Sequence, residues 1–154
     1  MIQASTGILL PLSGPPPLSF STFEGDGTSR HATDKARSTR VIVVDDETRI
    51  ASTLVEILKG EGFEATSAST GDGAIELART FKPDVVLSDV ILPGLNGIEV
   101  GIRVSALFPN CRVILFSGQA ATLDLLKEAR RSGHEFEILA KPIKPAALLA
   151  VIRR

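Results

Sequence analysis

The sequence has few residues that could cross-link the chain, cross a membrane or form a strongly charged surface. Cys111 is the only cysteine among 154 residues, which excludes an intrachain disulfide bond and fits a reducing compartment. No apolar run approaches the ~20 residues that a membrane-spanning helix needs. The 17 basic and 18 acidic residues give a net charge of −1, which argues against a nucleic-acid-binding stripe. These absences predict a soluble, cytoplasmic protein that contacts neither membranes nor nucleic acid directly.

Residues 1–39 differ in composition from the rest of the chain. They contain the triplet Pro15-Pro16-Pro17 and many Ser, Thr and Gly residues, without a sustained period of 2 or 3.6 residues. Such a segment buries too little apolar surface to offset the entropy lost on ordering it. We therefore predict a disordered tail over residues 1–39 and one domain over residues 40–154. The triplet fits a plain linker, which we favour, or a polyproline ligand for a partner.

From Arg40 onward, short apolar runs alternate with amphipathic stretches. Runs such as Val41–Val44 and Val85–Ser88 are typical of strands that are buried on both faces. The predicted strands cover residues 41–44, 63–68, 85–88, 113–116 and 136–140, and the predicted helices cover residues 50–58, 73–80, 98–108, 123–131 and 145–154. Strict alternation of strands and helices predicts an α/β fold with a doubly wound, five-stranded parallel sheet.

Polar residues follow four of these strands, at the ends where ligands bind in doubly wound sheets. Asp45 and Asp46 follow the first strand and Asp89 follows the third, whereas Ser117 and Lys141 follow the fourth and fifth. Three neighbouring carboxylates repel one another unless a cation binds them or a proton neutralises one of them. This set of residues therefore predicts a site for a divalent metal and a phosphoryl group.

Most of these residues also have an ordinary structural interpretation. Asp45 and Asp46 could cap the first helix, because Asp is favoured at helix N-termini. Asp89 could belong to a turn, and Lys141 could be a solvated lysine at a strand end. We interpret Gly97 as a structural residue at a turn or a helix start. The combination of acids, hydroxyl and Lys-Pro favours the site over each separate alternative.

Four motifs in this order resemble the receiver domain of two-component response regulators, over about residues 40–154. They are Asp45-Asp46, the loop from Asp89 to Gly97, Ser117-Gly118 and Lys141-Pro142. The resemblance implies a flavodoxin-like, CheY-like sheet with the strand order 2-1-3-4-5. It also implies a signalling module and not an enzyme, apart from self-phosphorylation and self-dephosphorylation.

The resemblance assigns the phosphoryl chemistry to three side chains. Asp89 would accept a phosphoryl group from a phosphohistidine of a sensor histidine kinase or a histidine phosphotransfer protein. Ser117 and Lys141 would contact the phosphoryl oxygens after transfer. The peptide bond between Lys141 and Pro142 would be cis and would aim the lysine.

The resemblance also implies a Mg²⁺ site. Asp46 would bind the ion directly, and Asp45 would act mainly through metal-bound water. Asp89 and the backbone carbonyl of Ile91 would complete the protein ligands. Oxygen ligands of this kind suit the near-octahedral geometry that Mg²⁺ prefers.

The pattern departs from the family at the position three residues before the lysine. Many receivers carry Tyr or Phe there, and rotation of that ring reports phosphorylation. Here the position holds Ile138, and the chain has no Tyr and no Trp. Because no output domain follows the receiver up to Arg154, we expect a stand-alone receiver that signals to an unknown downstream protein by contact. The alternative is an interaction module of the same fold that works without phosphorylation, which the missing aromatic favours.

Two other functional classes fit the motifs less well. A haloacid-dehalogenase-like phosphatase would place a second Asp two residues after the nucleophile, where this chain has Ile91. A nucleotide-binding domain would have a glycine-rich loop after the first strand, where this chain has Asp45-Asp46-Glu47.

Overall fold

Strands and helices alternate from Arg40 onward in the computed structural model, which describes residues 37–118, 120 and 122–154. The strands are β1 (Arg40–Val44), β2 (Glu64–Ala68), β3 (Val85–Asp89), β4 (Arg112–Ser117) and β5 (Glu137–Ala140), and the helices are α1 (Thr48–Gly60), α2 (Gly71–Phe81), α3 (Gly97–Leu107), α4 (Thr122–Arg131) and α5 (Pro145–Ile152). The predicted alternation is confirmed, and the bounds of each element lie close to those predicted.

The five strands form one parallel sheet in the order β2-β1-β3-β4-β5. The fold class and the strand order that the sequence predicted are therefore confirmed. The order reverses between β1 and β3, where Val44 lies opposite Ser88. The residues that directly follow these two strands consequently meet at one edge of the sheet, which is where doubly wound folds bind their ligands.

Both faces of the sheet are covered, so the central strands are apolar on both sides. On one face, Val41 and Val43 pack with residues of α1 and α5. On the other face, Ile42 and Val44 pack with residues of α2, α3 and α4. All four residues of this run are fully buried, and each side chain of this size contributes about 1.5–3 kcal/mol by leaving water. This double burial explains why β1 reads as an unbroken apolar run.

Side-chain caps set the starts of two helices slightly upstream of the predicted positions. The Thr70 hydroxyl accepts a hydrogen bond from the Gly73 N–H at 3.0 Å, so α2 begins at Gly71. Asn96 and Glu99 form a reciprocal capping box at the start of α3. Each cap satisfies backbone N–H groups that have no partner within the helix.

The backbone just before β1 is joined to β2. The carbonyl of Thr39 accepts a hydrogen bond from the Glu64 N–H at 3.0 Å. The remainder of the predicted tail, up to residue 36, lies outside the described residues. Within the described part of the chain, no helix is both long enough and apolar enough to cross a membrane.

Candidate functional site

Three carboxylates meet at the edge of the sheet where β1 and β3 end. One oxygen from each of Asp45, Asp46 and Asp89 lies within 4.8 Å of the others. Asp45 and Asp46 directly follow β1, and Asp89 is the last residue of the neighbouring β3. The parallel pairing of these strands is therefore what brings the acids together, as the sequence predicted.

Asp45 is the most deeply buried member of this acidic cluster. Its side chain is inaccessible to solvent, and its Oδ1 accepts a hydrogen bond from the Glu47 N–H at 2.9 Å. Among the described residues its Oδ2 has no hydrogen-bond partner, and Lys141 Nζ lies 3.7 Å from it. Burial raises the pKa of Asp45, the Glu47 N–H and Lys141 lower it in part, and the negative charges of Asp89 and Asp46 add to the rise.

The capping interpretation of the acid pair is wrong. The N-cap residue of α1 is Glu47, whose side chain makes no capping hydrogen bond, and Asp45 Oδ1 accepts the N–H of Glu47 itself and not that of a residue inside the helix. The carboxylates of Asp45 and Asp46 instead belong to the cluster with Asp89. A bound cation would offset the repulsion among these carboxylates.

Both carboxylate oxygens of Asp89 have defined partners. Its Oδ1 accepts a hydrogen bond from the Ile91 N–H at 3.1 Å, and its Oδ2 accepts one from Lys141 Nζ at 2.8 Å. The residue is 7% exposed, so one side of the carboxylate still reaches an open cleft. These contacts fix the orientation of the group while leaving it accessible, which suits a nucleophile.

Lys141 crosses from the end of β5 to the acidic cluster. Its backbone N–H donates to the carbonyl of Ser117 at 3.0 Å, and its Nζ lies 5.0 Å from the centroid of the Phe116 ring. Burial by itself would lower the pKa of Lys141, but the hydrogen bond to Asp89 and the charges of Asp89, Asp45 and Glu47 outweigh burial and raise it. The lysine is therefore held protonated beside the acids, and it is not a solvated strand-end residue.

The peptide bond between Lys141 and Pro142 is cis, as the resemblance predicted. A Cβ atom added at Gly118 would lie 3.1 Å from the Cβ of Lys141, so the loop after β4 passes close to the lysine. A side chain at position 118 would therefore press against the side chain of Lys141, which glycine avoids.

Ser117 ends β4 and faces the same cleft. The cleft is lined by Asp46, Glu47, Asp89, Ile91, Ser117, Gly118 and Lys141. The Ser117 hydroxyl donates a hydrogen bond to the Thr122 hydroxyl at 2.9 Å. The residues that the sequence predicted for the site thus surround one cleft, with Asp45 buried beneath it.

The donor set of the acidic cluster fits a hard divalent cation such as Mg²⁺. The ligand atoms available are carboxylate oxygens, which Mg²⁺ prefers to nitrogen or sulfur. The buried Oδ2 of Asp45, which has no hydrogen-bond partner, carries a desolvation cost that a cation would offset. Asp45, Asp46 and Asp89 are the side chains that would hold the ion. A role for the carbonyl of Ile91 stays a prediction.

Replacing Asp45 with asparagine is expected to stabilise the metal-free protein by about 1–2 kcal/mol and to abolish any stabilisation by Mg²⁺. The substitution removes a buried negative charge from a repulsive cluster, and it removes a metal ligand at the same time. Thermal unfolding in EDTA and in excess Mg²⁺ measures both effects. Glu56→Gln, the same change of carboxylate to amide on the exposed face of α1, is the control that should alter neither. If metal-free Asp45→Asn unfolded at a lower temperature than the metal-free wild type, the expected relief of repulsion would be contradicted.

Two residues near the site were missed by the sequence analysis. Glu47 lines the cleft, and its position directly after Asp45-Asp46 could have indicated this from the sequence. Thr122 is a buried residue at the start of α4, with a hydrogen bond to Ser117. The sequence evidence for Thr122 was weaker, because threonine is common where a loop leads into a helix.

Comparison with known families matches residues 41–153 to the response regulator receiver domain. The DNA-binding response regulator MtrA of Mycobacterium tuberculosis (strain ATCC 25618 / H37Rv) is 33% identical over 114 residues. That match covers 74% of this chain and 49% of MtrA, so the chain spans about half the length of this relative.

Two further relatives are matched over nearly their full length. The chemotaxis protein CheY of Thermotoga maritima is 27% identical over 116 residues, which cover 75% of this chain and 95% of CheY. The crystal structure of a CheY-like receiver domain protein from Methanospirillum hungatei superposes with a TM-score of 0.69 at 27% identity, covering 76% of this chain and 92% of that protein. Sequence, sheet order and the family match agree, and the chain belongs to the response regulator receiver domain family.

Proposed function

We propose that this receiver accepts a phosphoryl group on Asp89, in the presence of Mg²⁺, from a phosphohistidine of a sensor histidine kinase or a histidine phosphotransfer protein. One observation carries the proposal. Asp89 presents an oriented carboxylate to an open cleft, between two further acids and a lysine whose Nζ lies 2.8 Å from its Oδ2. An acidic cluster with one cationic neighbour is the arrangement expected of a phosphoryl acceptor that works with a divalent cation.

In the proposed reaction an oxygen of Asp89 attacks phosphorus while the phosphorus–nitrogen bond of the phosphohistidine breaks. The bonding electron pair stays on the imidazole nitrogen, so the products are an acyl phosphate and a histidine. Bound Mg²⁺ would neutralise charge on the phosphoryl oxygens and on the acids. Phosphoryl transfer depends mainly on such positioning and charge neutralisation.

Lys141 and Ser117 would stabilise the product. Lys141 has a charged amino group on a long, flexible stem, so it can follow the phosphoryl group when Asp89 becomes phosphorylated. The Ser117 hydroxyl can donate one hydrogen bond to a phosphoryl oxygen. Both groups already line the cleft in which the phosphoryl group would sit.

The phosphodonor protein would pack on an apolar cleft that adjoins the site and shares Gly118 and Lys141 with it. This second cleft is lined also by Arg49, Ile50, Thr53, Leu54 and Ile57 of α1 and by Pro142, Ile143 and Pro145. An apolar surface beside a charged acceptor can hold a partner while its phosphohistidine reaches Asp89. We propose that the output is likewise a protein contact, because the balanced charge of the chain does not favour nucleic acid.

A second candidate function is an interaction module that works without phosphorylation. Ile138, which replaces the aromatic residue of many receivers, favours it because the side chain is 49% exposed on β5 and has no ring to rotate. The two functions differ in their response to a phosphoryl mimic. A partner that binds equally well with and without beryllofluoride would support the second function.

Incubation with acetyl phosphate and Mg²⁺, followed by intact-mass spectrometry, tests the proposed function. The expected product carries the added mass of one phosphoryl group, and EDTA prevents its formation. The added group should be released by alkaline hydroxylamine, as an acyl phosphate is. A protein that gains no mass, or that gains it equally in EDTA, is not the Mg²⁺-dependent acceptor proposed here.

A further inference from the structure

A buried hydroxyl connects the cleft of Asp89 to the beginning of α4. Thr122 is the first residue of this helix and is 3% exposed. Its Oγ1 accepts a hydrogen bond from the hydroxyl of Ser117 at 2.9 Å. Ser117 itself lines the cleft that contains Asp89. A single serine therefore contacts the first turn of α4 and borders the phosphoacceptor cleft.

The serine hydroxyl has one proton to donate. A phosphoryl oxygen carries negative charge, and hydrogen bonds to charged acceptors are about twice as strong as those between neutral groups. Once Asp89 carries a phosphoryl group, donation to that group is favoured over donation to the neutral oxygen of Thr122. The same proton cannot serve both acceptors with good geometry.

The contact of Thr122 with Ser117 lies at the start of a helix that has little buried surface. The buried residues of α4 are Thr122 and Ala129, whereas α3 has five buried residues. Leu123 and Leu125 of the same helix are 57% and 37% exposed. A helix with little buried surface is held by few contacts, so a change at one of them shifts its position or its stability.

We propose that Thr122 is a positioning residue that competes with the phosphoryl group for the proton of Ser117, and that this competition transmits the state of Asp89 to α4. The inference rests on the proposed function, since it requires a phosphoryl group at Asp89. It supplies a route for the signal that does not involve an aromatic residue at position 138. In the unphosphorylated protein, the contact with Thr122 opposes phosphoryl binding, because that contact must be given up.

Binding of beryllofluoride with Mg²⁺, followed by titration calorimetry, measures the competition. Thr122→Val keeps the shape of the side chain but removes the acceptor, so it should bind the mimic roughly two- to tenfold more tightly than the wild type, the range that one net hydrogen bond gives. Thr122→Ser restores a hydroxyl and should return the affinity towards the wild-type value. A Thr122→Val protein that binds the mimic with unchanged or lower affinity would overturn the inference.

A double-mutant cycle tests whether Ser117 is the residue that transmits the effect. In a Ser117→Ala background the competing proton is absent, so Thr122→Val should no longer change the affinity for beryllofluoride. If Thr122→Val raised the affinity for beryllofluoride equally in the wild-type and Ser117→Ala backgrounds, the coupling between the two residues would be refuted. Wild-type protein that takes up no beryllofluoride with Mg²⁺ would refute the proposed function as well, whereas saturable uptake with no effect of Thr122→Val would refute this inference alone.

A second measurement does not depend on the folding of the Thr122 variants. In the wild type, the backbone amide NMR signals of Leu123 and Asp124 should shift when beryllofluoride and Mg²⁺ are added. In Ser117→Ala those shifts should be largely lost, although Asp89 and its neighbours still respond. Identical shifts in α4 with and without the serine hydroxyl would show that the signal reaches the helix by another route.

Discussion

Asp89→Asn is expected to lower the rate of phosphoryl uptake from acetyl phosphate by at least about a hundredfold, because an amide is a far weaker nucleophile than a carboxylate. The substitution preserves the size of the side chain and keeps an oxygen that can accept the Ile91 N–H. It removes the charged partner of Lys141 but adds no atoms to the site. Intact-mass spectrometry over a time course measures the rate in both proteins.

Asp72→Asn is the matched control for this experiment. Asp72 is an exposed acid in the first turn of α2, so the same chemical change occurs away from the cleft. Its uptake rate should equal that of the wild type. If Asp89→Asn were labelled as fast as Asp72→Asn, the acceptor would have to be another residue and the assignment of Asp89 would fail.

Gly97→Ala is expected to destabilise the domain by about 3 kcal/mol or more, which is a large effect for adding one methyl group. A Cβ at this position would overlap the carbonyl oxygen of Asp89 and lie 2.9 Å from the Cα of Val90. Both atoms belong to the backbone, which cannot rotate away as a side chain can. Gly97 also donates its N–H to the carbonyl of Val90 at 2.8 Å, so the two segments are held together.

Urea unfolding measures this loss, and Gly60→Ala is its control. No atom lies within 4 Å of a Cβ added at Gly60, the last residue of α1. Alanine is the better helix former by about 0.8–1 kcal/mol, so this variant should be as stable as the wild type or more stable. If Gly97→Ala unfolded at the same urea concentration as Gly60→Ala, the loop after β3 would have to move aside at little cost in free energy. In that case the backbone of Asp89 and Val90 would not limit the size of the residue at position 97.

The alternation of elements and the residues at the strand ends could be predicted because they depend on local sequence. A buried parallel strand must be apolar on both faces, so Val41–Val44 identified β1 without reference to any other segment. Asp45 and Asp89 then had to meet once their strands were neighbours. The exact helix starts were harder to predict, because the cap at Thr70 uses a side chain that is not part of the apolar pattern.

The burial of β5 could not be predicted from its own residues. The sequence predicts a strand over residues 136–140, and in the structure three of the four residues of β5 are exposed. Within the described part of the chain, β5 pairs with β4 and lies at an edge of the sheet, so no described strand pairs with its other side. Edge position is a property of the assembled sheet, and a single strand carries little sign of it.

The sequence by itself determined the fold class, the order of the elements and the chemical types at the site, because apolar periodicity and strand-end residues are local features. Only the tertiary structure decided how the residues act on one another. Lys141 Nζ lies 2.8 Å from Asp89 Oδ2, Asp45 Oδ2 is buried without a hydrogen-bond partner in the part of the chain that the structure describes, and Ser117 donates to Thr122. The first of these contacts joins segments that lie far apart in the chain, and the last spans the loop between β4 and α4. The distances therefore depend on how the strands and helices pack. The acids and the lysine were therefore predictable as a set, whereas the hydroxyl contact from the site to α4 required the folded chain.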